Sequence, residues 1–457
     1  MQDAAPSPCD LLITGGVVVT VDADNRVLRD GAVAINGAHI VDVGPSSDLR
    51  RCYRANETID AGGAVVRPGF IDAHIHVSQY TSRSVLPLMD GTSITMGDWK
   101  GALTPEDEHA SASLAALDYL RAGYTGFVDP GTIFEPDAVA AVADEIGMRI
   151  WLTDPYVADR GQELAAYSPE LVSPSFLARW PRSTEEALKR VGSQLYRNKI
   201  KDGRVHAFIG IYGEDTGTAE LHGASLQAAR DANVQFQEHR GYVPKSVHDH
   251  ERELGRSMIA QLGDDGVLGP GTTFIHMNVV HAGDVPLLSV SGTKIIWCPY
   301  GQLQMIGRGD AEPRMVELYR AGTGVGLATD IPRMMNFETL GSMAIAASSA
   351  AGNPATGFEV LRMRTIGAAQ TVGADREVGS IEIGKRADIV VDTVSQSKQF
   401  GLDVGVEVGV LGLTFPRHVI INGEVVWRDR RPRMEIQPIV DRARRSCRAV
   451  ASRIGLS

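Results

Sequence analysis

Two histidines one residue apart, His74 and His76, carry the strongest chemical signal in the chain. If the surrounding GFIDAHIH is extended, residues i and i+2 face the same side, and two imidazoles can grip one ion. The HxH spacing alone is common. It gains weight from His239, His276 and Asp330, each at or near the end of a further apolar run (VQFQEH, TTFIHM and GVGLATD). Three imidazole nitrogens and one carboxylate oxygen suit zinc, or iron in its divalent state. A divalent transition metal is therefore expected, zinc first and iron next.

Such donors must be held by a scaffold that brings distant segments to one place. The middle of the chain alternates apolar strand candidates with helical patterns, the mark of βα units and a parallel sheet. The candidates are GFIDAHIH, YTGFVD, RIWLTD, VHAFIGI, VQFQEH, TTFIHM, KIIWCP and GVGLATD, the eight that a closed TIM-type barrel needs. In that α/β fold the C-terminal strand ends form the active-site mouth, where all five donors would lie. Ser183 and Glu186 predict a capping box at the start of one intervening helix.

The ends of the chain differ in texture. LLITGGVVVTVD, GAVAINGAHIVDVG and, late, ADIVVDT and HVIINGEVVWRD are short apolar runs broken by Gly and Asn-Gly turns, as hairpins require. They predict one small β-sandwich domain built from residues 1–66 and 378–440. The barrel takes 67–377, and 441–457 is a C-terminal helix or tail.

Charge and cysteine usage narrow the function classes. Lys and Arg number 45 against 56 Asp and Glu, a net charge of −11. That argues against a broad nucleic-acid or anionic-membrane surface but leaves room for a small-molecule substrate. The basic run Arg442, Arg444, Arg445 and Arg448 reads as a solvated helix face. The four cysteines form no CxxC pair, so neither a structural zinc site nor a disulfide framework is signalled. The first residues have no basic or apolar region of a signal peptide, and no apolar run reaches the roughly 18 residues of a membrane span. A cytoplasmic setting is expected.

VVRPGFIDAHIH resembles the strand-one signature of the amidohydrolase superfamily. GSIEIGKRADIVV (379–391) is similar to that superfamily's return into its β-sandwich, and HVIINGEVVWRD to its final hairpin. With LATD of strand eight, the resemblance spans nearly the whole chain and points to the cytosine-deaminase-like branch, which includes triazine hydrolases. It implies that His74, His76 and His239 bind the metal. His276 would bind it or polarise a substrate carbonyl. Asp330 would be both a ligand and the general base. Binuclear relatives bridge their metals with a strand-four lysine; VHAFIGIYG has none, which implies one metal. Homodimers or larger homo-oligomers are common in the family.

Two departures bear on the chemistry. The deaminase branch carries a glutamate three residues after the strand-five histidine, where this chain has Tyr242. Tyrosine, with a reference pKa of about 10, is a poor base but donates a hydrogen bond. Glu238 is near in sequence, but alternation turns it away from His239. The second departure is Trp297-Cys298-Pro299-Tyr300-Gly301-Gln302, where many relatives have Pro followed by Ser-Asn. The expectation is therefore a metal-dependent hydrolase that cleaves a C–N bond of an amide, urea or carbamate type in a small aromatic or heterocyclic molecule. Ring deamination of a purine, pyrimidine or triazine is the alternative, and a non-catalytic binding or assembly protein the second. Candidate substrate contacts on the mouth loops are Met89, Trp99, Tyr156, Tyr212, Tyr242 and Met305, with Met334, Met335 and Phe337 after strand eight. Arg83, Arg308 and Arg333 lie on the same loops, where an arginine can pair a substrate carboxylate but is more often structural or solvated, and His281 is expected outside the site.

Overall fold

The computed structural model describes residues 5–213, 215–331, 337–393, 405–410 and 415–456. The first segments form β1 (Ser7–Val19), β2 (Val27–Asn36), β3 (His39–Pro45), β4 (Tyr53–Asp60) and β5 (Val65–Pro68). The barrel follows with β6 (Phe70–Asp72), β7 (Tyr124–Val128), β8 (Arg149–Leu152), β9 (Val205–Ala207), β10 (Ile209–Gly213), β11 (Phe236–Arg240), β12 (Thr272–His276), β13 (Lys294–Trp297) and β14 (Val325–Leu327). The last strands are β15 (Ile389–Thr393), β16 (Phe415–Ile421), β17 (Glu424–Arg428) and β18 (Arg431–Pro432).

All eight expected barrel strands are present and pair in parallel as two arcs, β6-β7-β8-β9 and β10-β11-β12-β13-β14. The fourth strand is divided at Phe208. The Phe208 N–H donates to Leu152 of β8, while the next residue, Ile209, donates to Gln235 just before β11. That switch of partner joins the arcs on one side. On the other side Ala73 N–H donates to Leu327, Asp330 N–H to His74, and His76 N–H to Asp330, so strand eight closes on strand one. Ile71, Val128, Trp151, Phe208, Ile275 and Ile296 fill the interior beneath the mouth, as a packed barrel requires.

The two ends of the chain meet in one nine-stranded sheet, ordered β18-β17-β16-β15-β5-β1-β2-β3 with β4 on β1. The join is β15 antiparallel to β5, with Val391 opposite Val66. Alternate residues such as Ile13, Val33, Val66, Ile389 and Ile420 gather into an apolar cluster of their own. Two fully buried ion pairs flank the join: Arg67 with Asp392, and Arg149 with Asp388, each 2.7 Å.

Ser183 caps the short helix Thr184–Leu188, accepting from Glu186 N–H; the Glu186 carboxylate accepts in return from Arg182 N–H rather than from Ser183. The C-terminal helix runs Ile436–Arg453, starting inside the segment assigned to the sheet from sequence. Pro438 lies in its first turn, where a missing N–H costs nothing. Ile439, Ala443, Ser446 and Val450 are buried along one face. The basic run is partly engaged, since Arg442 pairs with Glu145 at 2.7 Å. Among the described residues no helix is long and apolar enough to cross a membrane.

Candidate metal centre and active site

His74 and His76 continue β6 into the barrel mouth with their Nε2 atoms 3.3 Å apart. Asp330 Oδ1 lies 3.1 Å from His76 Nε2 and 3.5 Å from His74 Nε2. The backbone bonds that close the barrel hold this carboxylate there. Donor atoms fall in two sets, His74-His76-His239 and His74-His276-Asp330, each with all atoms within 4.8 Å of one another. His74 belongs to both, so the five side chains converge on one point.

Two of the five are aimed by unusual backbone. His276 (φ 81°) and Asp330 (φ 61°) are left-handed without being glycine, which costs about 1–3 kcal/mol apiece. Both sit where a strand ends and the chain must turn over the mouth. For His276, the Met277 and Asn278 N–H groups donate back to the Arg240 and Gly241 carbonyls and hold the turn.

The donors suit a metal. His239 donates its Nδ1–H to the Tyr212 carbonyl at 2.7 Å. That leaves Nε2 as a lone-pair acceptor, and among the described residues this buried nitrogen has no hydrogen-bond partner. A buried acceptor left so costs about 1–3 kcal/mol unless something takes its lone pair. Burial, reinforced by the neighbouring rings, holds His239 well below the usual histidine pKa. Burial takes His276 down to about 3 and lowers His74 as well. His74, His239 and His276 are thus neutral at working pH, the form that ligates. Burial alone would raise Asp330, but the hydrogen bonds to His74 and His76 outweigh it and hold the carboxyl well below its ordinary range.

A polar layer fixes these groups from behind. Asp72, fully buried, accepts from Tyr119 Oη–H (2.6 Å), Thr329 N–H (3.0 Å) and His74 N–H (3.2 Å), tying strand one to strand eight below the donors. Glu238 points away from the centre and binds His222 (3.1 Å) and Arg240 (2.7 Å). The divergent Trp297–Gln302 stretch forms a relay. Trp297 Nε1–H donates to Gln302 at 2.7 Å, Gln302 donates to Asn278 at 3.3 Å, and Asn278 donates to the Tyr242 carbonyl at 3.0 Å. The relay sets Tyr242 against His276, ring centroids 4.7 Å apart.

The cleft over the donors is lined by His76, His239, His276, Asp330, Tyr212 and Tyr242, together with Lys100, Leu164, Leu171 and Ile331. Its free volume is about 20 Å³, room for a water but not for an organic substrate. Of the expected substrate contacts, Tyr212 and Tyr242 face it. Met89, Trp99 and Tyr156 instead pack with Phe176 and Trp180 in an apolar cluster beneath the loops, and Tyr156 spends its hydroxyl on the Thr132 carbonyl. Met305 accepts from Asn278 at 3.1 Å, beside the relay rather than in the cleft. Phe337 stacks on Tyr119, centroids 3.7 Å apart. Met334, Met335 and Arg333 lie outside the described residues. Arg83 donates to Tyr80 and faces the C-terminal helix, Arg308 is exposed, and His281 pairs with Glu251 away from the site. Lys100, buried and 5.0 Å from the Phe176 ring, was not singled out from sequence. Its only signal is position, next to Trp99 on the loop after strand one.

The amidohydrolase family model matches residues 65–426. The chain belongs to the amidohydrolase family. This family member is a metal-dependent hydrolase of carbon–nitrogen bonds. It is 29% identical over 467 residues to a 5-methylthioadenosine/S-adenosylhomocysteine deaminase of Syntrophobacter fumaroxidans, covering 97% of this chain and 99% of that one. A protein of the same name from Pelotomaculum thermopropionicum is 28% identical over 84% of each chain. Its fold matches that of a zinc-bound adenosine deaminase from Xanthomonas campestris, with a TM-score of 0.83 at 24% identity over 98% and 100% of the two chains. It also matches a zinc complex of atrazine chlorohydrolase from Arthrobacter aurescens, with a TM-score of 0.78 at 23% identity over 96% and 100%.

Proposed function

We propose that this amidohydrolase cleaves an acyclic amide, urea or carbamate-type C–N bond of a small aromatic or heterocyclic molecule. One observation carries the choice: Asp330 is the sole carboxylate among the described residues lining the cleft. A ring deaminase must protonate a ring nitrogen as well as activate water. The position three residues after His239 holds Tyr242, which can donate a hydrogen bond but is a poor proton carrier. Hydrolysis of an acyclic bond asks less, because a single carboxylate can take the water's proton and hand it to the departing amine.

In this reading His74, His76, His239 and Asp330 hold the metal, zinc before iron, with His276 as a further ligand or turned to the substrate. A divalent metal held there supplies Lewis acidity and brings the pKa of water toward about 7. Asp330, ionised at every working pH, accepts the proton of the attacking water on its carboxylate. Neutral His276 donates its N–H to the carbonyl oxygen as charge develops there. Tyr212 and Tyr242 flank the ring of the substrate, and Leu164 and Leu171 close over it and exclude water. The protein is proposed to work as a cytoplasmic homo-oligomer, which size-exclusion chromatography with light scattering checks.

Ring deamination is the second reading, favoured by the names of the relatives above. A two-product assay separates the two. Metal-loaded protein is offered 5′-methylthioadenosine, S-adenosylhomocysteine and adenosine, and in parallel anilides and phenylureas. Release of a substituted amine from the second set is expected. Ammonia from the nucleosides, with no amine from the others, would overturn the ranking.

A further inference from the structure

At the opposite end of the barrel from the metal donors lies a cavity of about 1080 Å³. It is bounded by the starts of the strands and the loop that follows the eighth βα unit. Six basic residues line it, Arg149, Lys201, Lys294, Arg362, Arg376 and Arg386, against Asp202, Asp375 and Glu377. The balance is positive in a chain whose net charge is −11.

The two halves of this floor differ. On one side the cations are satisfied: Arg149 is bound to Asp388, and Arg386 to Asp202 at 2.9 Å and Glu377 at 3.0 Å. On the other side, among the described residues, neither Lys294 nor Arg362 has a carboxylate within ion-pair distance, although the charge of Asp375 acts on Lys294. Lys294 gives its Nζ to the Pro270 and Gly292 carbonyls. Arg362 gives Nη1 to the Val21 and Asp22 carbonyls and to Asn25 Oδ1. Backbone carbonyls hold these cations in place without cancelling their full charge. Thr323, only 2% exposed, also lines the cavity, and among the described residues its hydroxyl has no partner. Gly324 beside it brings Lys294 and Gln370 close: a Cβ there would lie 3.0 Å from Gln370 Oε1 and 3.1 Å from Lys294 Cγ. Two cations, a buried hydroxyl and an amide therefore belong to the lining of one cavity that the hydrolytic chemistry does not use.

We propose that this half of the barrel floor is a second binding site, for a small anion that presents carboxylate or phosphoryl oxygens to Lys294, Arg362 and Thr323. The anion supplies the missing counter-charge and accepts from the Thr323 hydroxyl.

The test is calorimetric titration of the metal-loaded full chain with inorganic phosphate in one arm and succinate in the other. Saturable binding is expected in at least one. Phosphate alone identifies a phosphoryl site, succinate alone a carboxylate site, and both a general oxyanion site. Lys294→Met and Arg362→Met should each weaken binding about tenfold or more, the loss of one charge-assisted hydrogen bond. Thr323→Val, nearly isosteric, should weaken it less and keeps the test open if a charge variant fails to fold. Turnover should be unchanged in all three. No saturable heat with either anion overturns the proposal. So does equal affinity in wild type and every folded variant, which would put the anion on the catalytic metal.

Discussion

A carboxylate wedged between two imidazoles and pointed at two more can serve as metal ligand and proton acceptor at once, and the chemistry proposed here depends on Asp330 doing both. Asp330→Asn keeps the shape but removes the basicity. It should cut kcat by about 10²–10⁴-fold while leaving the melting temperature of the metal-loaded protein within a few degrees, as steady-state assays and calorimetry would show. Near-normal turnover would mean that another group takes the proton. The five donors were legible in the sequence because each ends an apolar run whose strand points it to the mouth. Lys100, Leu164, Leu171 and Ile331 were not, since they come from helical pieces and turns too short to show a period. The larger aromatic residues Trp99 and Tyr156, expected at the cleft, serve as packing.

At the scale of elements, the structure explains how the site is aimed and how tightly it is closed. The relay from Trp297 through Gln302 and Asn278 to Tyr242 ties strand seven to the loops after strands six and five. Gln302→Leu would leave the buried Trp297 N–H unpaired and cost about 1–3 kcal/mol, measurable by urea denaturation, with a fall in kcat/KM as Tyr242 loosens. With Leu164 and Leu171 lining so small a space, the 161–171 segment is expected to move when substrate enters. Gly161 sits at its start, where a Cβ would meet Trp180 Cε3 at 2.4 Å. Gly161→Ala should therefore displace Trp180, cost about 1–3 kcal/mol and change the Trp fluorescence response to substrate. The eight strands were readable from their apolar runs. The break of the fourth at Phe208 was not, because it comes from a change of hydrogen-bonding partner and no Gly or Pro marks it. Nor was the start of the last helix at Ile436, which the sequence placed at 441.

The whole molecule is a barrel clamped by a sheet from both ends of the chain, and we propose the division 1–66 with 378–440 against 67–377 on that basis, with the helix start moved to 436. Texture made the sheet visible in the sequence. Its anchors were invisible, since Arg67 meets Asp392 across 325 residues and only the folded chain brings them together. Asp392→Ala would strand a buried guanidinium and should lower stability by about 3–5 kcal/mol, read from denaturant unfolding. His206 gives the pH dependence a sign. Burial, and then the Arg149 charge, bring it down to about 4, against about 6.5 in the unfolded chain. The unfolded state takes the proton first as pH falls. The stability tied to this ring is therefore complete above about pH 6.5 and is lost towards pH 4, at most about 3 kcal/mol. His206→Gln should flatten that slope in unfolding curves measured from pH 7 to 4.5.

Metal stoichiometry tests the central claim most directly. Elemental analysis of untagged, freshly purified protein should find about one transition-metal ion per chain, with His239→Ala reducing both metal and turnover in parallel. Protein that holds no metal, and gains no activity when zinc, iron, manganese or cobalt is added, would contradict the account.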